Sequence, residues 1–384
     1  MFSQILVKFK ARTNALIQAE IFACVGASPI SIIQRIDVHV VEVDQKKVQQ
    51  VLADLQRDPR VEFAEMNRSV ELAFAPNDTS FGSQWGMAKI NASTAWDTTQ
   101  SDSSIRIAIL DTGIDLDHPD LAAKIMVSQD FTGSPVGADD SYNHGTHVAG
   151  TAAAITNNSL GIAGVGFNAS ILNAKVVNDA GTGSVATVAN GIAWAVTNGA
   201  NVINISWVTT LPSSTLQTAI NDAWNAGVVI VGAAGNNGNN AFTYPASYAN
   251  VIAVAATDTD DTMWSSSTYG TWVDVAAPGV SIYSTVVGGG YGSGTGTSFA
   301  APHVAGLAAL LVWIAQDTNG NNFINDEVRA AIEGSAVNIN VINPFRPIGG
   351  GRIDAAAAVA SLGGPYVASK GIYFASRMAK IGFF

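Results

Sequence analysis

Three short stretches of this chain hold an aspartate, a histidine and a serine in settings where each could do chemistry. In RIAILDTGIDLDHPDL (106–121), Asp111 follows an apolar run that reads as a strand. Asp-Thr-Gly suits two chemistries: a pair of such aspartates can share a proton and activate water, or one can orient a histidine that serves a nucleophile. The chain has no second Asp-Thr-Gly or Asp-Ser-Gly, so shared-proton chemistry would need a dimer. Taken alone, Asp111 could also merely cap a turn. Thirty-three residues on, NHGTHVAGTAAA (143–154) carries His144 and His147, two of the five histidines, on a segment with helical spacing. Zinc does not fit them, because His-x-x-His lacks the four-residue spacing and the glutamate of a zinc-binding helix. In GTGTSFAAPHVAGLAALLVWIA (294–315), Ser298 stands behind a glycine-rich approach at the start of an apolar helix. Such a serine can be a simple N-cap. The same position offers free backbone N–H groups and positive potential to an oxyanion.

These side chains need a scaffold. Apolar runs at 105–110, 170–177, 201–206, 227–235 and 251–257 alternate with helical patterns such as 185–199 and 214–227. That alternation predicts an α/β fold, a parallel sheet flanked by helices. Functional groups in such folds gather at the carboxyl ends of the strands, where Asp111 stands. The first 75 residues read differently: a strand at 4–10, a helix at 11–26 ending near Gly26, an alternating strand at 31–44, a helix at 45–57 and a short strand at 61–65. Val48, Val51, Leu52 and Leu55 line one face of the second helix. The predicted organisation is a small α+β domain at 1–75, a large domain at 76–362 and a tail at 363–384. Residues 71–82 read as an exposed linker. Phe374, Met378 and the closing Gly-Phe-Phe of the tail either pack on the body or fray.

Composition narrows the partners. Hydrophobic residues make up 48% of the 384 and charged ones 13%, which suits a buried core. Residues 1–74 hold nine basic and nine acidic side chains; residues 75–384 hold ten and twenty-one, so the net charge of −11 sits there. That balance disfavours a phosphate backbone and predicts no nucleic-acid partner. Cys24 is the only cysteine, so no intrachain disulfide forms. No run of eighteen apolar residues predicts a membrane span. Lys8, Lys10 and Arg12 precede ALIQAEIFACVGAS, but Gln18 and Glu20 interrupt the apolar stretch a leader would need. The expectation is an extracellular monomer with no membrane partner, its leader outside this sequence.

In the order Asp, His, Ser, the blocks ILDTGID, HGTHVAG and GTSFAAPHVAG resemble the three signatures of the subtilisin-like serine proteases (subtilases), in particular the thermitase-like branch, over roughly 76–360. The resemblance implies an endopeptidase working through an acyl-enzyme. Ser298 is then the nucleophile, His144 the base and later the acid, and Asp111 the group that fixes the imidazole tautomer; His147 is not the base. Asn236, in VGAAGNNGNN (231–240), matches the asparagine that donates to the oxyanion. Peptide or protein substrate would lie as an added strand between Gly181, Thr182 and Gly183 on one side and Ser206, Trp207 and Val208 on the other. Ala233, Ala234 and Gly235 would form the far wall of the specificity pocket. The family reads Ser-Leu-Gly-Gly where this chain has Ser206, Trp207, Val208 and Thr209, so a narrower or reshaped pocket is expected, less suited to a large aromatic side chain. A cis Tyr244–Pro245 bond is also implied.

The N-terminal unit resembles the subtilase propeptide, a ferredoxin-like β-α-β-β-α-β domain, which implies a self-processing zymogen inhibited by its own propeptide and cut within 71–77. By the same resemblance, structural calcium would take side chains of Asp78, Asp120 and Asn158 and carbonyls of Ile155, Leu160 and Ile162, a hard-oxygen set. Asp317, Asn319 and Asn321 alternate as in an EF-hand loop, yet Asn322 and Val328 stand where glycine and an acid belong. A second calcium, with Asp326 or Glu327 substituting, and an exposed connector both remain open there. Rival readings are a peptide-binding pseudoprotease and a narrow processing protease.

Overall fold

The computed structural model describes residues 2–67 and 74–363, and the chain forms two compact units, Met1–Leu72 and Ala73–Phe384. The first contains β1 (Phe2–Phe9), α1 (Ala15–Val25), β2 (Ser28–Ile33), β3 (Val38–Asp44), α2 (Val48–Arg57) and β4 (Val61–Met66). Its antiparallel sheet runs β2-β3-β1-β4. Ile5, Val7 and Phe9 alternate into a core closed by Ile21 and Phe22 of α1 and by Val51 and Leu55 of α2. Asn14 caps α1 by accepting the Ile17 N–H at 3.0 Å, and Gly26 ends it at φ 72. The single strand expected over 31–44 is a hairpin: Gln34, Arg35, Ile36 and Asp37 continue the apolar–polar alternation and so hide the turn, where Asp37 takes φ 52.

The second unit contains α3 (Trp85–Lys89), α4 (Ala92–Thr98), β5 (Arg106–Asp111), β6 (Ile125–Asp130), α5 (His144–Ala153), β7 (Ser170–Lys175), α6 (Val185–Thr197), β8 (Val202–Ile205) and α7 (Ser214–Asn225). There follow β9 (Val229–Ala233), β10 (Ile252–Thr257), β11 (Val275–Pro278), β12 (Ile282–Val286), β13 (Gly290–Gly294), α8 (Thr297–Ile314), α9 (Asn325–Gly334) and α10 (Ala355–Ser361). Seven strands form a parallel sheet in the order β11-β10-β9-β8-β5-β7-β6, while β12 and β13 pair as a separate hairpin. The order reverses beside β5, which opens a crevice at the carboxyl ends there. Along β5 the side chains alternate between two cores. Ile107 and Ile109 join α5 and α8 through Val148, Val304 and Leu307, whereas Ala108 and Leu110 join α6 and α7 through Ile192 and Ile220. Each such aliphatic side chain contributes on the order of 1.5–3 kcal/mol by leaving water.

Among the described residues α8 is long and apolar enough to cross a membrane, but it lies 83% buried within the fold. Four strands escaped the sequence pattern. β6 is an edge strand with Met126 and Val127 exposed, β11 has four residues, and the hairpin is rich in glycine. From Phe74 on, the expected exposed linker (71–82) is packed instead: the Phe74 N–H donates to Asp97 at 2.8 Å and its ring packs on Trp96 and Phe167, while Asp78 is buried. Residues 68–73 and the tail from 364, including Phe374 and Met378, lie outside the described residues.

Candidate active site

Asp111 closes β5 and His144 opens α5; His144 Nδ1 stands 2.7 Å from Asp111 Oδ1. A polar relay fixes both loops. Thr112 donates its hydroxyl to Asp140 Oδ1 at 3.0 Å and accepts the Gly145 N–H at 2.9 Å, and Asp140 Oδ2 accepts the Thr146 N–H and hydroxyl. The approach is close enough to require glycine: a Cβ on Gly145 would lie 2.1 Å from Gly113 O. Burial pulls the His144 pKa down. The Asp111 charge and hydrogen bond, with Asp140 beyond, more than offset it and hold the imidazole above the usual histidine value.

Ser298 is the second residue of α8. Its hydroxyl donates to Ser206 O at 2.8 Å, and the Ser206 hydroxyl donates to Ser298 O at 2.9 Å. The second bond has a cause in the sequence. Pro302, four residues on, has no N–H for the Ser298 carbonyl, which is thereby left to accept from β8's end. Asn236 Oδ1 accepts the Thr297 N–H at 3.0 Å and its hydroxyl at 2.8 Å, so the amide keeps its Nδ2 for donation. Thr297 Oγ1 also accepts the Gly235 N–H at 3.0 Å, tying the wall segment to the helix start. Sequence reasoning missed Thr297, Pro302, Thr112 and Asp140. Thr297 and Pro302 lie inside the Ser298 block, but Thr297 bonds to residues 61 and 62 positions away and the Ser206–Ser298 bond that Pro302 permits spans 92.

The expected substrate segments flank these groups. Gly183 bridges Val177, and a Cβ there would lie 2.7 Å from Val176 O; Gly181 has φ +75. On the other side Trp207 donates its indole N–H to Leu110 O at 3.2 Å, while Val208 and Thr209 are half-buried. Thr209 and Tyr244 exchange two 2.8 Å backbone bonds, and Tyr244–Pro245 is cis. Ala233, Ala234 and Gly235 are buried.

For calcium, the chain gathers Asp78, Asp120 and Asn158. Asn158 Nδ2 donates to Asp120 Oδ1 at 2.7 Å, and Asp78 accepts the Asn157 N–H at 2.8 Å. Ile155 donates its N–H to Asp120 O, Ile162 its own to Asp120 Oδ2, and Leu160 to Asn158 Oδ1. Burial raises the pKa of both carboxyls, and the Asp78 charge raises Asp120 further. Two buried like charges with no Lys or Arg paired to them among the described residues fit a cation, provided the Asn158 amide turns its oxygen inward. In the loop at 317–327 the amides of Asn319 and Asn321 both donate to Asp326 Oδ2, and Asp317 accepts the N–H groups of Gly320 and Asn322. No group of three or more acidic, histidine or cysteine side chains converges among the described residues.

Seven parallel strands flanked by helices, preceded in the chain by a separate small antiparallel sheet, match the architecture of the subtilisin class of serine peptidase. Residues 102–351 match the subtilase family and residues 3–67 the fervidolysin N-terminal prodomain. The chain is 44% identical to the thermophilic serine proteinase of Bacillus sp. (strain AK1), over 88% of this chain and 82% of that one. It is 50% identical to thermitase of Thermoactinomyces vulgaris, over 70% and 93%. A protease of Pseudoalteromonas arctica superposes with a TM-score of 0.69 at 33% identity, covering 76% of this chain and all of that one. The chain therefore belongs to the subtilase family: it is a serine peptidase carrying a prodomain, in keeping with the fold and family expected from its motifs.

Proposed function

We propose that Asp111, His144 and Ser298 act as one catalytic unit that hydrolyses peptide bonds through an acyl-enzyme. The 2.7 Å contact of His144 Nδ1 with Asp111 carries this reading, because it leaves Nε2 as the base. Rotation about χ1 turns the Ser298 hydroxyl from Ser206 O toward Nε2. As Oγ attacks the carbonyl carbon, its proton passes to Nε2, and Asp111 stabilises the imidazolium. Asn236 Nδ2 and the Ser298 N–H donate to the tetrahedral oxyanion. The same proton then goes to the leaving amine, and water repeats the sequence on the ester.

The substrate enters as a strand between 181–183 and 206–208, with Ala233, Ala234 and Gly235 behind a pocket that Val208 narrows. The first unit is the propeptide of a zymogen, an intramolecular inhibitor removed by self-cleavage within 71–77, and the mature enzyme is an extracellular monomer acting without membrane or nucleic acid. Asp78, Asp120 and Asn158, with the carbonyls of Ile155, Leu160 and Ile162, hold a structural calcium; Asp317, Asn319 and Asn321 with Asp326 offer a second, weaker place for one. Purified full-length chain should cut itself near residue 75 and react with a serine-directed phosphonate. Ser298→Ala should lose self-processing, peptidase activity and labelling together. Processing that persists in this variant would sink the assignment.

A further inference from the structure

The residue after the nucleophile has no role in the chemistry described so far, yet it touches two imidazoles. The Phe299 ring centroid lies 5.4 Å from that of His144, tilted by 47°, and 4.3 Å from that of His147, edge-on at 61°. Both histidines belong to α5, three residues apart and therefore on one face. The ring is held from several sides. Gly294 of β13 leaves room for it, since a Cβ there would lie 2.6 Å from two ring carbons. The Phe299 carbonyl meets His303 Nδ1 at 2.9 Å, and His147 is pinned through Nε2 to Ile282 O at 2.9 Å.

We propose that Phe299 is a positioning residue for the base: its ring holds the His144 plane between Ser298 and the leaving group, and its π face steadies the imidazolium formed at each proton transfer. This rests on the catalytic roles proposed above. A cation lying over the face of an aromatic ring, within about 6 Å of its centroid, is attracted by the ring quadrupole. The charged and titratable groups facing His144 are Asp111 from β5, Asp140 from the loop before α5 and His147 along α5, with His303 of α8 behind His147. His147 and His303 are pushed down to about 4, chiefly by burial, so near neutral pH only His144 titrates against this ring.

The test compares kcat/KM against pH on a short peptide for the processed wild type, Phe299→Leu and Phe299→Tyr. Leu keeps apolar packing without a π face. The expected result is kcat lower by about tenfold, KM little changed, and the apparent pKa of the base lower by about half a unit; Tyr should restore that pKa. If Leu prevents folding, Phe299→Met takes its place with the same expectation. In parallel, NMR titration of the His144 ring in full-length Ser298→Ala, with and without the Leu change, reads the same shift without turnover. A shift in that titration together with a wild-type chain that never cleaves peptides would overturn the catalytic reading alone. A rate loss with neither titration moved, or a Tyr variant that fails to restore it, reduces Phe299 to ordinary packing and overturns this proposal.

Discussion

At the scale of single residues, the proposed oxyanion donor gives the cleanest separation of binding from chemistry. Asn236 is held by its oxygen to Thr297, which pre-aims the Nδ2 donor before substrate arrives. Asn236→Ala should therefore lower kcat by about a hundred- to a thousandfold, roughly 2.7–4 kcal/mol, with KM nearly unchanged in steady-state assays. A comparable rise in KM would mean the amide binds the ground state instead. Thr297→Val, which removes the hydroxyl bond but keeps the volume, should cost a smaller part of that loss. Val208 raises the question of specificity. Its neighbour Trp207 is anchored on Leu110 O, and Val208 follows it as a half-buried residue beyond the end of β8. Val208→Gly should raise kcat/KM for peptides with Phe at the scissile position by about tenfold over those with Ala; equal gains for both would argue that Val208 does not wall the pocket. The roles proposed for Asp111, His144, Ser298 and Asn236 were legible because each sits in a short motif. Pro302 and Thr297 were not, since their meaning lies in bonds to Ser206 and Asn236 that no local spacing records.

At the scale of elements, the sheet was legible where strands are buried on both faces, because β5, β7, β8, β9 and β10 read as predominantly apolar runs. Strands with one wet face, little length or glycine in place of side chains left no such run, which is why β6, β11 and the hairpin went unseen. The segment after residue 73 misled for a related reason: polar residues that look like linker are instead laced to a loop. Ser159 donates its N–H to Asn77 Oδ1 at 2.7 Å, Ser80 its own to Gly161 O at 2.7 Å, and Asp78 accepts from Asn157. A cation at Asp78 and Asp120 would stitch these two elements by neutralising the buried pair. Calcium at a hundred times its Kd should add about 2.7 kcal/mol, or roughly 5–10 °C in Tm. Chelation should remove that increment from full-length Ser298→Ala in a calorimeter, and Asp78→Ala should be insensitive to chelator. An undiminished chelator effect in the Asp78 variant would place the ion elsewhere.

For the molecule as a whole, acidification sets two effects against each other. Lowering the pH toward the pI of about 4.7 relaxes the self-repulsion of a chain with net charge −11, which favours the compact state. The buried histidines act the other way. His147 on α5 and His303 on α8 sit 3% and 1% exposed, in the two helices that cover one face of the sheet. Burial lowers both to about 4, against about 6.5 in an unfolded chain. Between those values the unfolded state binds protons that the folded state refuses, so folding stability falls as the pH falls. By pH 5 the loss is about 2 kcal/mol for each histidine. The His144 imidazole and the Asp78 and Asp120 carboxyls, held above their usual values, gain stability on acidification and so side with the relaxing surface charge. With surface repulsion screened within about 8 Å in physiological salt, the two buried histidines set the net direction between pH 7 and pH 5. Full-length Ser298→Ala, which avoids self-digestion, should lose stability to urea from pH 7 to pH 5. His303 has no role in the proposed chemistry, and its Nε2 abuts Gly86, so no larger side chain fits there. His303→Gln should therefore lower stability at pH 7 but flatten its decline toward pH 5. A midpoint that rises on acidification, or an equally steep decline in the His303 variant, would show that surface charge governs acid behaviour instead.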